Sequence, residues 1–216
     1  MKLRVFGSSS SGNGYALVSD DDEILLIEAG VKARVMLKGI DYRISCISGC
    51  IVSHAHGDHS SHITEYRKMG FPVGCNQDVA EKKSVVHPCV MQAGKTYAFG
   101  GFHVTPFDVK HDVPNFGYLI HHKDMGVMLF ATDTYTLPYA NVDHWLIEAN
   151  YHDDILAENV RKRVIDEGQR RRLMVSHMSL DNCILNLSRC HAEKSRNIIL
   201  IHLSSRNSDA KLFKKK

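Results

Sequence analysis

Residues 51–62 read IVSHAHGDHSSH, and within them His54, His56, Asp58 and His59 form the pattern H-x-H-x-D-H directly behind an apolar run. In an extended segment, residues at i and i+2 project to the same side, so His54 and His56 can close on one ion. Asp58 and His59 follow in a loop and can reach a second. Imidazole with carboxylate, and no thiolate, suits zinc first and manganese or iron as well. Such a site needs ligands from elsewhere in the chain. Three candidates stand where an apolar run ends: His111 after GFHVTPFDV, Asp133 closing GVMLFATD, and His202 in NIILIHLS. The edge where buried strand gives way to loop is where α/β proteins gather their sites.

These side chains need strands behind them. LRVF, YALV, EILLIE and GCIVS are apolar runs bounded by Gly, Ser or Asp, and they read as strands. Val31 to Lys38 and Ser61 to Met69 read as helices. In the middle of the chain GFHVTPFDV, FGYLIHH and GVMLFATD read as strands, the last two joined by the turn KDMG. WLIEAN and NIILIHLS complete the set, with helices expected from about Asp154 to Glu167 and from Leu180 to about Lys194. Ser179 is the expected N-cap of the latter, with Asp181 in its first turn, where negative charge suits the helix dipole. No repeat or linker divides the chain, which makes one layered α/β domain over 1–216 the economical reading.

Composition narrows the function classes. At 216 residues the chain can bury a core without a structural metal, so a metal cluster would be there for chemistry and not for stability. No apolar run is long enough to span a membrane and the N-terminal MKLRVFGSSSSG lacks the apolar centre of a signal peptide, so a cytoplasmic protein is expected. Six scattered cysteines without a C-x-x-C pair suit free thiols in a reducing compartment. The net charge of +3 is mild, but Arg161, Lys162, Arg163, Arg170, Arg171 and Arg172 cluster, as do Lys214, Lys215 and Lys216. Such clusters can meet an anionic substrate, although a solvated helix face is their commoner meaning. GSSSSGNG has the glycine spacing of a phosphate loop, but Asn13 and Gly14 replace its Lys and Ser/Thr, and a strand follows. It reads as a tight turn between strands at the edge of the site.

The order HAHGDH, a later His, a lone Asp and a C-terminal His resembles the metallo-β-lactamase superfamily. SSSSGNGY, KHDVPNFGY, ATDTYT, LIEANY, SHMSLDN and IHLSSRNSD look like its single-domain bacterial and phage branch of nucleases and phosphodiesterases related to tRNase Z. The resemblance runs from Gly7 to about Asp209 and implies an αββα sandwich of two mixed β-sheets flanked by helices. It implies that His54, His56 and His111 bind one divalent metal and Asp58, His59 and His202 another, with Asp133 bridging. Zn2+ is the expected ion and Mn2+ the second choice. Two such ions about 3.5–4 Å apart can hold a hydroxide and neutralise the oxygens of an in-line displacement. Asp58 would orient that hydroxide or take its proton, and His177 would hydrogen-bond the phosphate or protonate the leaving oxygen. The implied activity is hydrolysis of a phosphodiester in a nucleic acid or a nucleotide, cyclic ones included.

Two departures stand out. Glu28 in IEAG occupies a place where relatives usually carry Asp, which alters a hydrogen bond near the metal histidines. The chain ends in KLFKKK where many relatives continue into another strand, so a partner subunit in a homodimer is expected to cover the end of the fold. His62 is expected to sit at a helix start outside the cluster, and Tyr151, Asn115 and Ser179 to support the ligands. The same metals on the same fold also serve hydrolysis of lactone, thioester or β-lactam bonds, and a metal- or nucleotide-binding domain without catalysis is a third reading.

Overall fold

The computed structural model describes residues 1–138 and 141–215. Lys216, counted above among the terminal lysines, lies outside the described residues. Two six-stranded sheets form the body of the molecule. The first has the order β1 (Lys2–Gly7), β2 (Gly14–Val18), β3 (Ile24–Ile27), β4 (Ile47–Val52), β5 (Val73–Cys75), β6 (Cys89–Val90). Its first three strands pair antiparallel and the rest parallel. The second has the order β12 (Asn197–Ile201), β11 (His144–Glu148), β10 (Gly126–Ala131), β9 (Asn115–His122), β8 (Phe102–Val109), β7 (Tyr97–Phe99). There β7 to β10 pair antiparallel, while β11 and β12 are parallel to β10. Both sheets are mixed. In each, parallel strands need crossover connections, and these supply the helices.

The layers follow from alternation along single strands. In β3, Leu25 and Ile27 face the second sheet together with Tyr15, Leu17 and Ile51, and meet Phe102, Val104, Tyr118, Ile120 and Phe130. The intervening Ile24 and Leu26 face outward with Val18, Cys50 and Val52. Over them lie Met36 of α1 (Ala33–Gly39), Ile63 and Tyr66 of α3 (Ile63–Lys68) and Val79 of α4 (Gln77–Lys82). On the other side of the molecule Leu129, Ala131, Trp145 and Ile147 pack under Leu180 and Cys183 of α7 (Leu180–Arg189). Strands covered on both faces must be apolar throughout, which is why β3 and β11 read as unbroken runs. The architecture is the expected αββα sandwich. All six cysteines are free, and among the described residues no helix is long and apolar enough to cross a membrane.

Several elements differ from the reading of the sequence. The helix expected from Asp154 to Glu167 ends early, as α5 (Asp153–Arg161), and a second helix that the sequence reading lacks, α6 (Glu167–Ser176), begins after a short loop. Arg163 takes a left-handed φ of 58° between them, and Asp166 restarts the chain with a capping box to Gln169. The helix expected from Ser61 to Met69 is present as α3, and a separate single turn, α2 (Gly57–Ser60), precedes it. Helix α7 stops at Arg189, because His191 is left-handed at φ 54°, before a single turn at Ala192–Lys194. Its start is as expected, with Ser179 Oγ accepting from the Asn182 amide at 3.2 Å. Between residues 70 and 100 the strands are two or three residues long, too short for any period to show. A last short helix, α8 (Ala210–Phe213), tucks Phe213 against the second sheet's outer face.

Candidate metal centre

The opening motif is built by the end of β4. Ser53 and His54 continue the strand's direction, and Ser53 Oγ is hydrogen-bonded to His54 Nδ1 at 2.9 Å, which turns Nε2 toward the gap between the sheets. His56 forms the N-cap of α2, whose single turn carries Asp58 and His59. The loop from β1 to β2 holds that turn in place. Asn13 is fully buried, its backbone N–H donates to the Asp58 carbonyl at 2.7 Å, and its side-chain amide donates to Asp58 Oδ2 at 3.3 Å. Gly30 passes so close that a Cβ there would stand 1.7 Å from the Asp58 carbonyl oxygen, so only glycine fits. The GSSSSGNG turn is therefore at the edge of the site as expected, with Asn13 as its working residue.

The second sheet supplies the rest. His111 stands in the loop between β8 and β9, Asp133 two residues past β10 and His202 one residue past β12. Asp133 and His202 have left-handed φ angles of 51° and 55°, and Glu28, one residue past β3, has 68°. For non-glycine residues this conformation costs on the order of 1 kcal/mol or more each. At each of these three positions the strand ends in a polar residue: the side chains of Asp133 and His202 reach the cleft, and that of Glu28 stops behind His59. The neighbours hold the bends. Asn115 donates to the carbonyls of Thr132 and Asp133, both at 3.0 Å, and Asn150 donates to the His202 carbonyl at 2.9 Å.

All seven expected ligands converge. Asp133 Oδ2 lies 3.4 Å from His54 Nε2, 3.5 Å from His59 Nε2 and 3.7 Å from His111 Nε2. His56 Nδ1 is 3.2 Å from His111 Nε2. On the other side Asp58 Oδ2 is 3.2 Å from both His59 Nε2 and His202 Nε2. Donor atoms of His54, His56, His111 and Asp133 form one group within 4.8 Å of one another, and those of Asp58, His59 and His202 form a second. Two donors about 2.1 Å from one tetrahedral ion stand about 3.4 Å apart, so the spacings fit a common cation better than they fit hydrogen bonds. His54 Nε2 is buried with no hydrogen-bond partner, as a nitrogen reserved for a metal would be.

The charges point the same way. Glu28, Asp133 and Glu148 are buried, and Asp58 lies beside them, so four carboxylates share a small volume. Buried anions need countercharge. Burial pushes the His202 imidazole down, but the Asp133 charge and hydrogen bonds to Asp58 and Glu148 outweigh it and raise it to about 10. His111 goes the other way, lowered to about 4 chiefly by burial. Burial, with help from His59, also keeps His54 below its ordinary value. The donor set thus has His54 and His111 disfavoured as cations on one side and carboxylates with the proton-holding His59 and His202 on the other, a distribution that two divalent cations would replace.

His177 follows α6 and is partly exposed at the rim of a cleft of about 390 Å3 that Asp58, Asp133 and His202 also line. Its Nδ1 donates to Glu148 Oε1 at 2.7 Å, and the same oxygen accepts from His202 Nδ1 at 2.8 Å. Burial disfavours the His177 cation, yet the Glu148 charge and hydrogen bond raise it above the ordinary histidine value. Glu148, in LIEAN, is the residue that reading the sequence missed. A carboxylate closing a strand buried on both faces was the available signal, since such a group must have a partner. Asp112 was also missed, its Oδ1 standing 3.1 Å from His111 Nε2. Glu28 does lie beside a metal-type histidine, with Oε1 3.4 Å from His59 Nδ1. His62 is apart, N-capping α3 and bonded to Glu65 at 2.8 Å. Of the three supporting residues expected, only Asn115 reaches a ligand; Ser179 caps α7, and Tyr151 packs with Leu156 and Ile165.

Two mixed sheets between helices, with this histidine and carboxylate set at the strand ends, define the metallo-β-lactamase fold. The chain belongs to the beta-lactamase superfamily, whose domain pattern matches residues 25–203. It is 22% identical over 230 residues to exodeoxyribonuclease YycJ of Bacillus anthracis, a match covering 96% of this chain and 84% of that protein. Among solved structures it is similar to the metallo-beta-lactamase fold protein YhfI of Bacillus subtilis, with a TM-score of 0.72 at 18% identity, covering 99% of this chain and 90% of that one. The short form of human tRNase Z gives a TM-score of 0.67 at 15% identity over 95% of this chain and 93% of its own. At such identities the structural likeness concerns the fold.

Proposed function

We propose that this protein is a dinuclear metal-dependent phosphodiesterase acting on nucleic acid, with the chain working as one domain because its donors come from both sheets. His54, His56 and His111 hold one ion, Asp58, His59 and His202 the other, and Asp133 is shared; zinc is the first choice and manganese the second. When bound, the two cations supply an activated water and neutralise phosphate oxygens. Asp58, which lines the cleft, orients the attacking water. His177, kept protonated by Glu148, gives its proton to the leaving oxygen as the P–O bond breaks. The His177–Glu148 pair at the rim of the cleft beside the ligand cluster carries this reading, because it would serve as an acid toward a leaving group bound there. The resemblance to a relative named as an exodeoxyribonuclease supports nucleic acid over an acyl compound.

The test is hydrolysis of an aryl phosphodiester, a short DNA strand and an acyl ester by one preparation of measured metal content. Phosphodiester cleavage abolished by chelator and restored by zinc or manganese is expected. Turnover of the acyl ester alone would replace this reading with that of an acyl hydrolase, and a fully loaded protein inert toward all three would leave only a binding role.

A further inference from the structure

The cleft over the ligand cluster does not end at His177. Ser10, Arg172, Leu173, His177 and Ser204 line it and also line a neighbouring groove of about 480 Å3, so the two are parts of one continuous channel. The character changes across that shared rim. On the metal side the walls carry Asp58, Asp112 and Asp133; on the far side they carry Gln169, Arg172, Ser205 and Arg206 and no carboxylate. Below these lie Ile165, which is buried, and Leu173, which is partly so.

Of the arginines in α6, Arg170 is paired with Glu167 at 3.3 Å. Arg172 and Arg206 have no ion pair with any described residue, and both side chains are exposed at the groove. Two unneutralised guanidinium groups, hydroxyls from Ser10 and Ser205, and an apolar floor make a seat for a phosphate with its sugar or base attached. The volume is within the range of about 300–1,000 Å3 typical of small-ligand pockets.

We infer that this groove is a second phosphate subsite, holding the phosphate next to the one attacked, so that the substrate is a strand with consecutive phosphodiesters and not a cyclic mononucleotide. The inference rests on the phosphodiesterase reading for the attacked phosphate. It gives a use to Ser10 and to one arginine of the basic cluster, which the metal centre leaves idle.

The test compares the metal-loaded protein with its R172Q/R206Q variant on a short single strand and on an aryl phosphodiester, which has only one phosphate. Loss of two phosphate contacts should cut kcat/KM on the strand about tenfold more than on the aryl diester, mostly through KM. A neutral methylphosphonate placed one linkage from the cleaved bond should impose a similar penalty on the unaltered protein and little more on the variant. Fluorescence anisotropy of a labelled strand with chelator-treated protein should show weaker binding by the variant and a salt dependence shallower by about one to two charges. Equal losses on both substrates, or strand binding and KM that do not move, would overturn the subsite. If the unaltered protein cleaves neither substrate, the phosphodiesterase reading fails, and the anisotropy comparison still decides whether the groove takes a strand.

Discussion

Replacing Glu148 by Gln removes one charge and changes almost no volume, yet four donors converge on that carboxylate. Oε1 accepts from His177 Nδ1 at 2.7 Å and His202 Nδ1 at 2.8 Å; Oε2 accepts from the backbone amides of Thr134 at 3.3 Å and Met178 at 3.4 Å. A glutamine has one oxygen, so either orientation aims its NH2 at two of these donors. Each buried donor left without an acceptor costs about 1–3 kcal/mol. Taking the lower half for contacts this long gives about 2–4 kcal/mol, which for about 150–250 residues lowers Tm by about 4–16 °C. Catalysis should fall as well, because Glu148 is the group that keeps His177 protonated. Loss of a charge-assisted hydrogen bond of about 1.5–3 kcal/mol corresponds to a drop in kcat of about 10- to 150-fold. Thermal unfolding, metal content and turnover on a DNA strand, whose leaving oxygen needs a proton, should be measured on the same preparation. A variant with unaltered Tm and kcat would refute both the four-donor account and the His177 role.

His177→Ala should retain its metal and lose about 10²- to 10⁴-fold in kcat on a strand, with a smaller loss on a nitrophenyl ester whose leaving oxygen needs no proton; equal losses on the two would remove the acid role. Glu28→Gln keeps an oxygen for the Ser53 amide at 3.3 Å but turns an NH2 toward His59 Nδ1, favouring the wrong tautomer. Metal affinity measured by competition with a chelating dye should fall about 10- to 100-fold, and an unchanged affinity would show Glu28 to be a bystander. Gly30→Ala drives a methyl group into the Asp58 carbonyl, so soluble yield or Tm should collapse with metal binding; a normally folded, metal-loaded variant would show that the Asn13–Asp58 clamp can give way.

The candidate ligands were legible in the sequence because each obeys a local rule. His54 and His56 are two apart at the end of a strand, and His111, Asp133 and His202 each follow an apolar run. Strands buried on both faces are apolar throughout, so their polar terminators stand out against the background. Segments with no local rule stayed hidden. The strands β5 to β7 are too short to have a period, and α6, with Gly168 and three successive arginines, has no apolar stripe, although its Asp166 and Gln169 spell a capping box.

What the chain determines alone is therefore the kind of chemistry: imidazoles and carboxylates at strand ends, in the order of a known superfamily. The resemblance proposed which donors belong to which ion, and only the tertiary structure could bring them into common groups, since Asp58 and His202 are 144 residues apart and meet at 3.2 Å. The same holds for Glu148, which takes its meaning from two histidines on other segments, and for Arg172, which lines the cleft over the candidate ligands because α6 crosses its rim. Side-chain spacing along a strand is fixed by the backbone period, whereas contacts between strand ends depend on how two sheets stack, and that is decided by the core they share.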